Sequence, residues 1–504
     1  MKLMNKYRIP LMVMGPTGIG KTQIIDAELS SHKIEDYLIV KMNFSATTSS
    51  GEVQVNFMSK VDRKKRGTYG PKGIGQKGLW FIDDLNLPTP DQYGFQPPLE
   101  LLRQFIEFSG WYDMDELKMV NILDFSLVCS CAPPGGSRTP LPKRLLRHFY
   151  YYSSVENSSQ TLIRIFGKIA KWICLKKDLN EEANRVLGFA VEGSIELFHS
   201  LSETLKPTPS KPHYLFNLRD ISKVFQGMYL VDSSQYGKGS AKICRAWIHE
   251  TCRVMGDRMT HAKDKDVFHY KLKGILNHQL RSQIDQVMME LLPKGHRLED
   301  KYPELDRIIF TDILGESPDI AEREYLEQPD IAILRKKVEA ELEEYYITKK
   351  ETKNISIFDF AVHQILKICR ILRLDKSHGV LIGLGGSGRQ TLTKLSSYIM
   401  GQQTVSVEVH KNYNREKWRT DVKRILSDSA LTNKCSTFVI TEAQSNNLFL
   451  MQDIDSMLNL GEIPNLYEAD EFLKFLDKLK EKAKKEGEDK LALAGTMTEY
   501  ARFT

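Results

Sequence analysis

Residues 15–22 read GPTGIGKT, placing a lysine and a threonine directly behind a glycine-rich turn. In such a turn Gly15, Pro16, Thr17, Gly18, Ile19 and Gly20 would present inward-facing backbone N–H groups to a phosphate. Lys21 would bridge β- and γ-phosphate oxygens, and the Thr22 hydroxyl would ligate Mg²⁺. The expected ligands are therefore ATP or ADP with Mg²⁺. A second segment, LWFIDDLNLP, carries apolar residues into paired acids. Asp83, at the end of a buried strand, is expected to hold the Mg²⁺ hydration shell, and Asp84 to stand where attacking water is polarised. Aspartate is one methylene shorter than the glutamate usual for that work, and a misplacement of ~1 Å can cost ~100-fold in rate.

A second, weaker copy follows. LIGLGGSGRQ spans residues 381–390 and repeats the glycine rhythm through Gly383, Gly385, Gly386, Ser387 and Gly388. Arg389 stands in the lysine position, and its planar fork does not replace an ammonium. Gln390 offers no hydroxyl for Mg²⁺, although Thr391 lies one position along. Downstream, STFVITEA puts Glu442 at the metal side and Ala443 where the catalytic acid would be. Nucleotide held without turnover, an empty structural module and an active ATPase all remain open for this site.

Both loops need a strand before them and a helix after them. LMVM and TQIIDAEL frame the first, and GVLIGL and QTLTKLSSYIM frame the second. The recurrence predicts tandem α/β modules, each a mostly parallel sheet flanked by helices. Between them, SQTLIRIFGKIAKWICLKK and EEANRVLGFAVEGSIELFHSLSETL space apolar residues at i, i+3, i+4 and i+7, which predicts a helical lid and connector. The expected division is a large α/β subdomain over 1–155 and a helical lid over 156–297. A linker and connecting helix over 298–354 lead to a second module over 355–504, incomplete at its C-terminus.

Composition narrows the function. With 41% hydrophobic and 27% charged residues in 504, the chain is an ordinary globular protein of several domains. A net charge of +6, with basic and acidic residues interspersed, gives no support for nucleic-acid binding. The basic stretch DRKKRGTYGPKG reads as a solvated loop. No apolar run reaches the ~18–20 residues that cross a bilayer, so no membrane partner is expected. Seven scattered cysteines without metal-ligand spacing read as reduced core thiols.

Over nearly its whole length the chain resembles a dynein heavy chain of axonemal type, in the third and part of the fourth AAA+ modules of the motor ring. The resemblance rests on GPTGIGKT, MSKVDRKKRGTYGP, FIDDLNLPTPDQYGFQPPLELLRQ, GWYD, APPGGSRTPLPKRLLRHF and HYLFNLRDISKVFQGM. In the second copy it rests on GLGGSGRQTLTKLSSYI and GEIPNLYEADE. It implies a fragment of a motor whose main hydrolytic module lies upstream and whose stalk and microtubule-binding tip lie downstream. The other AAA+ modules of the same heavy chain and other dynein subunits are the implied partners, with the microtubule reached through regions outside this chain. Cytoplasm, cytoskeleton and the cilium axoneme are the implied location. It also implies that Arg219 in FNLRD reads the γ-phosphate from the lid, and that Arg144 or Arg147 in PKRLLRHF is an arginine finger acting on the preceding module. One departure stands out: Ala132 occupies the sensor-strand position usually held by a polar residue. The first site is thus expected to bind ATP and to hydrolyse it slowly or not at all. The competing readings are a non-motor AAA+ remodelling ATPase and a catalytically silent ring scaffold.

Overall fold

The computed structural model describes residues 2–279, 305–349 and 355–486, apart from 74, 115, 116, 137, 233–239, 316, 318, 319, 329, 376, 411, 412, 433 and 434. The chain divides into two compact units. One comprises residues 1–156, 406–434 and 440–504, and the other 157–405 and 435–439.

The first unit is built on a five-stranded parallel sheet. Its strands are β1 (Leu11–Met14), β2 (Tyr37–Asn43), β5 (Lys77–Asp83), β8 (Phe125–Cys131) and β9 (Tyr150–Ser153), in the order β2-β5-β8-β1-β9. Successive side chains in a strand point to opposite faces, so a sheet covered on both sides needs apolar residues at nearly every position. That is why these segments read as continuous apolar runs. Met12, Trp80, Ile82, Leu127 and Cys129 pack on one face, and Leu11, Val13, Leu79, Phe81 and Val128 on the other.

The first face is closed by the helices Ser50–Met58 and Pro97–Phe108 and by an aromatic group centred on Phe57, whose ring lies 4.4 Å from Trp80 and 4.8 Å from Phe125. The helix Lys21–Ser30 brings Ile25 and Leu29 to the second face. A small side sheet, β3-β4-β7-β6, joins β3 (Asp62–Lys65), β4 (Thr68–Gly70), β6 (Gly110–Tyr112) and β7 (Met119–Ile122). The basic stretch forms its β3–β4 hairpin, with β3 exposed throughout. The helices Arg415–Thr432 and Leu448–Leu460 also belong to this unit. Glu52 accepts from Arg415 at 3.0 Å and from Gln452 at 2.5 Å.

The second unit is largely helical. Ser159–Lys176, Glu181–Thr204, Leu218–Leu230, Ser240–Thr251 and Ala262–Gln279 share one apolar core, including buried Phe166, Phe225, Trp247 and Phe268. The lid periodicity read from the sequence is thus realised. A neighbouring core gathers Ile331–Lys349, Asp359–Arg373 and Arg389–Ile399 around Val338, Ile365, Cys369 and Leu395.

Charges buried between these helices are paired, as burial requires. Glu250, fully buried, accepts from Arg370 Nε at 3.0 Å and from the Tyr325 hydroxyl at 3.1 Å. His249 Nδ1 lies 2.8 Å from the Ile308 carbonyl and its Nε2 lies 3.2 Å from Tyr325. The predicted lid boundary near 297 and the start of the 298–354 linker fall outside the described residues. The final charged stretch after the helix Ala469–Glu486 does so as well. Six cysteines are buried and Cys435 is exposed, all unpaired.

One sequence expectation is corrected. GVLIGL does not form a strand: residues 378–384 lack regular structure, with Val380 87% and Leu384 85% exposed. The reason lies in the strand order. β1 pairs only with β8 and β9, never with β2 or β5. In the second copy β10 (Gln403–Val405) pairs with β11 (Ser436–Phe438), the counterparts of β2 and β5. Among the described residues nothing supplies counterparts of β8 and β9, so the loop-bearing segment has no ladder to join.

Candidate functional site

The site grows from the end of β1. Gly15 donates its N–H to the Cys131 carbonyl at 3.2 Å, and a Cβ on Gly15 would meet the Ser154 carbonyl oxygen at 2.4 Å. Only glycine lets the chain leave the sheet so close to β9. Gly18 (φ 80°) and Gly20 (φ 91°) then adopt left-handed conformations, and Gly20 caps the helix Lys21–Ser30. Pro16, Thr17 and Ile19 fill the turn between them. The helix N-terminus, with its unpaired N–H groups and positive dipole end, faces the same turn.

Lys21 is 9% exposed, and its ammonium donates to the Gly15 and Pro16 carbonyls, each at 2.8 Å. Burial lowers its pKa, opposed by the charges of Asp84 and Asp83. The Thr22 hydroxyl donates to Asp83 Oδ2 at 2.6 Å. Asp83 Oδ1 accepts from the Asp84 N–H at 3.0 Å and from the Ser130 hydroxyl. Thr22, Asp83 and Ser130 therefore form one polar chain across the helix, β5 and β8.

Asp84 has φ 51°, a left-handed conformation that aspartate tolerates better than most residues. Its carboxyl pKa is raised, first by burial and next by the negative charge of Asp83; Arg138 opposes both. Arg138 Nη2 lies 3.5 Å from Asp84 Oδ1. Asn86, 2% exposed, donates to the Ala132 carbonyl at 2.8 Å and locks the end of β8. Ala132 is itself buried and carries no polar group into the site.

The donor set suits a Mg²⁺-nucleotide: a primary ammonium, a hydroxyl and carboxylate in contact, and a left-handed glycine pair opening a helix. Sequence reasoning missed Ser130, Asn86 and Arg138. Ser130 was detectable from the alternation of β8, which brings every second side chain to one face. Arg138 follows a Gly-Gly turn, which gave no clue that its side chain folds back to Asp84.

The remaining predicted residues fall elsewhere. Arg147 donates to Glu107 Oε1 at 2.6 Å, and Glu107 is shared with Arg103 and His148. Arg144 is exposed and has no ion-pair partner among the described residues. Arg219 belongs to the second unit. Its N–H donates to the Asn217 side chain at 2.9 Å within a capping box completed by Asp220, and its side chain is exposed. The box is anchored by Arg258, 2.5 Å from Asp220.

The second loop repeats the first in backbone only. Gly386 (φ 78°) and Gly388 (φ 77°) match Gly18 and Gly20, and Gly388 caps Arg389–Ile399. Arg389 Nη2 donates to the Leu384 carbonyl at 3.2 Å, the position that Pro16 holds for Lys21. Gly383, Gly385, Ser387 and Gln390 are exposed beside it. Glu442 opens the short helix Glu442–Ser445 in the first unit, whereas the loop belongs to the second.

A parallel sheet with a phosphate loop at the end of β1, acids at the end of β5 one strand removed, and a following helical lid define a tandem P-loop AAA+ protein. Family comparison carries this further. Residues 1–157 match the P-loop containing dynein motor region, 190–291 the AAA+ lid domain, and 354–502 the P-loop containing dynein motor region D4. Human dynein axonemal heavy chain 3 is 35% identical over 482 residues, covering 96% of this chain and 12% of that protein. Human dynein axonemal heavy chain 1 is 35% identical over 94% of this chain and 11% of its own length, and human dynein axonemal heavy chain 6 is 33% identical over 95% and 11%. The chain belongs to the dynein heavy chain family and carries its P-loop motor region. It spans 12% of the length of the first of these relatives and 11% of the other two.

Proposed function

We propose that this chain is a nucleotide-binding segment of an axonemal dynein motor ring, with a regulatory first site and a degenerate second one. The observation that carries this is the Thr22–Asp83–Ser130 chain beside Lys21, combined with alanine at position 132. The first half of that combination would hold phosphates and Mg²⁺. The second leaves no side-chain amide to orient an attacking water. Bound Mg²⁺ would neutralise phosphate charge. Lys21 would leave the Gly15 and Pro16 carbonyls for the phosphates, and the Thr22 hydroxyl would turn from Asp83 to the metal. Asp84, shorter than glutamate and paired with Arg138, is poorly placed as a base.

ATP would thus be held long enough to act as a state marker, and hydrolysis would be slow. Arg219 is the lid residue proposed to meet the γ-phosphate. Arg144, without an ion-pair partner among the described residues, is the better finger toward a preceding module, since Arg147 donates to Glu107. The second loop keeps left-handed glycines without a hydroxyl at Gln390, which favours nucleotide held without turnover there. Other ring modules, further dynein subunits and, through other parts of a heavy chain, the microtubule are the proposed partners, in the axoneme of a cilium.

The test is equilibrium binding of MgATP and MgADP to the whole chain, paired with single-turnover hydrolysis. Submicromolar to micromolar binding abolished by Lys21→Ala, with little product over minutes, is expected. Rapid hydrolysis that Asp84→Asn abolishes would overturn the regulatory reading.

A further inference from the structure

Arg138 is a polar side chain at the first site that comes from neither the phosphate loop nor the acid strand. Its segment is held rigidly. Gly135 and Arg138 exchange both backbone hydrogen bonds at 3.1 Å, with Gly135 and Gly136 at φ 146° and 63°. Thr139 N–H donates to the Asn86 carbonyl at 3.1 Å, and Gln96 donates to the Thr139 hydroxyl at 2.6 Å. The guanidinium is thereby fixed over Asp84, but the fit is incomplete. Nη2 reaches Oδ1 only at 3.5 Å, and Nε is buried with no hydrogen-bond partner. A guanidinium normally satisfies a carboxylate or phosphate with two parallel donors. Here the fork is half used, and the Nε donor is shielded from water, where an unused donor is costly. The same pocket lacks a polar group at Ala132, and the Asn86 Oδ1 above it is also without a partner.

We propose that Arg138 is the cis γ-phosphate-reading side chain of the first site, held by Asp84 until a nucleoside triphosphate arrives. The terminal phosphate offers three acceptor oxygens, enough for both Nε and Nη2. A diphosphate lacks that group and leaves Arg138 on Asp84. The site thus distinguishes ATP from ADP by an arginine of its own module, in place of the neutral side chain absent at 132. This rests on the nucleotide reading of Lys21, Thr22 and Asp83.

The test measures binding of Mg·ATPγS and MgADP to the full chain in wild type, Arg138→Ala and Arg138→Lys, with Lys21→Ala identifying first-site binding. Arg138→Ala should weaken ATPγS by about 10- to 100-fold, the scale of losing charge-assisted hydrogen bonds. ADP affinity should be unchanged, which also reports that the variant is folded. Arg138→Lys should recover part of the loss. Equal losses for both nucleotides, or an unchanged ATPγS:ADP ratio, would overturn the inference while leaving the nucleotide site intact. Absence of any Lys21-dependent binding in wild type would overturn both.

Discussion

Replacing Gly227 by alanine should damage the second unit far more than one methyl group suggests. Gly227 lies inside the helix Leu218–Leu230, where glycine-to-alanine changes ordinarily gain about 0.5–1 kcal/mol through backbone entropy. Here a Cβ would stand 1.8 Å from Glu250 Oε2 and 2.3 Å from Glu250 Cδ. Restoring ordinary contact at 3.4 Å requires the carboxylate to retreat by about 1.6 Å. That carboxylate is fully buried and held by Arg370 at 3.0 Å and Tyr325 at 3.1 Å. A retreat of that size breaks both bonds and leaves opposite charges buried and unpaired, a loss of about 3–5 kcal/mol. The assay is urea unfolding of the whole chain followed by tryptophan fluorescence, since Trp247 is buried in the lid core. Gly188→Ala is the control: it sits in the helix Glu181–Thr204 with open space around a Cβ, and should be neutral or stabilising. If Gly227→Ala unfolds within 0.5 kcal/mol of wild type, on the ~0.5 kcal/mol scale of ordinary surface changes, the packing argument fails.

Two further outcomes follow from the same reasoning. Burial holds His249 neutral in the folded unit, with Arg253 and Arg370 adding to the effect, while an unfolded chain protonates below about pH 6.5. The unfolded state then binds the extra proton, so stability should fall on acidification below that value, by up to about 1.4 kcal/mol per pH unit. His363, lowered by burial too, acts in the same window. His249→Gln should flatten the dependence of the urea midpoint between pH 7.5 and 5.5, values set by the ~6.5 reference; an unchanged slope would assign it elsewhere. Arg147→Ala removes a partly exposed pair with Glu107 and should leave the urea midpoint nearly unchanged. Arg144→Ala should leave unfolding unchanged yet lower nucleotide turnover in an intact heavy chain; the reverse pattern in the two variants would make Arg147 the finger.

The large α/β subdomain was legible because its signals are local. β1, β5 and β8 are apolar runs, and GPTGIGKT is a loop whose glycine positions follow from φ alone. Lys21, Thr22 and Asp83 could be named from spacing, and they do meet. Arg138 could not, because its role depends on which turn comes alongside, a long-range fact absent from any short window. The second copy misled for the same reason. GVLIGL has the composition of a buried strand, yet a strand exists only where a ladder receives it. The Glu250–Arg370 pair joins residues 120 apart, and nothing in either local sequence announces it.

That pair makes a mechanical coupler. The helix Leu218–Leu230, which carries Arg219 in its first turn, rests through Gly227 on Glu250, and Glu250 grips Arg370 in the helix that leads toward the second glycine loop. A push on that helix would therefore pass through packed helices and a buried ion pair. Gly227 is the contact point of this linkage, and its missing side chain is what lets the helix close on the buried pair.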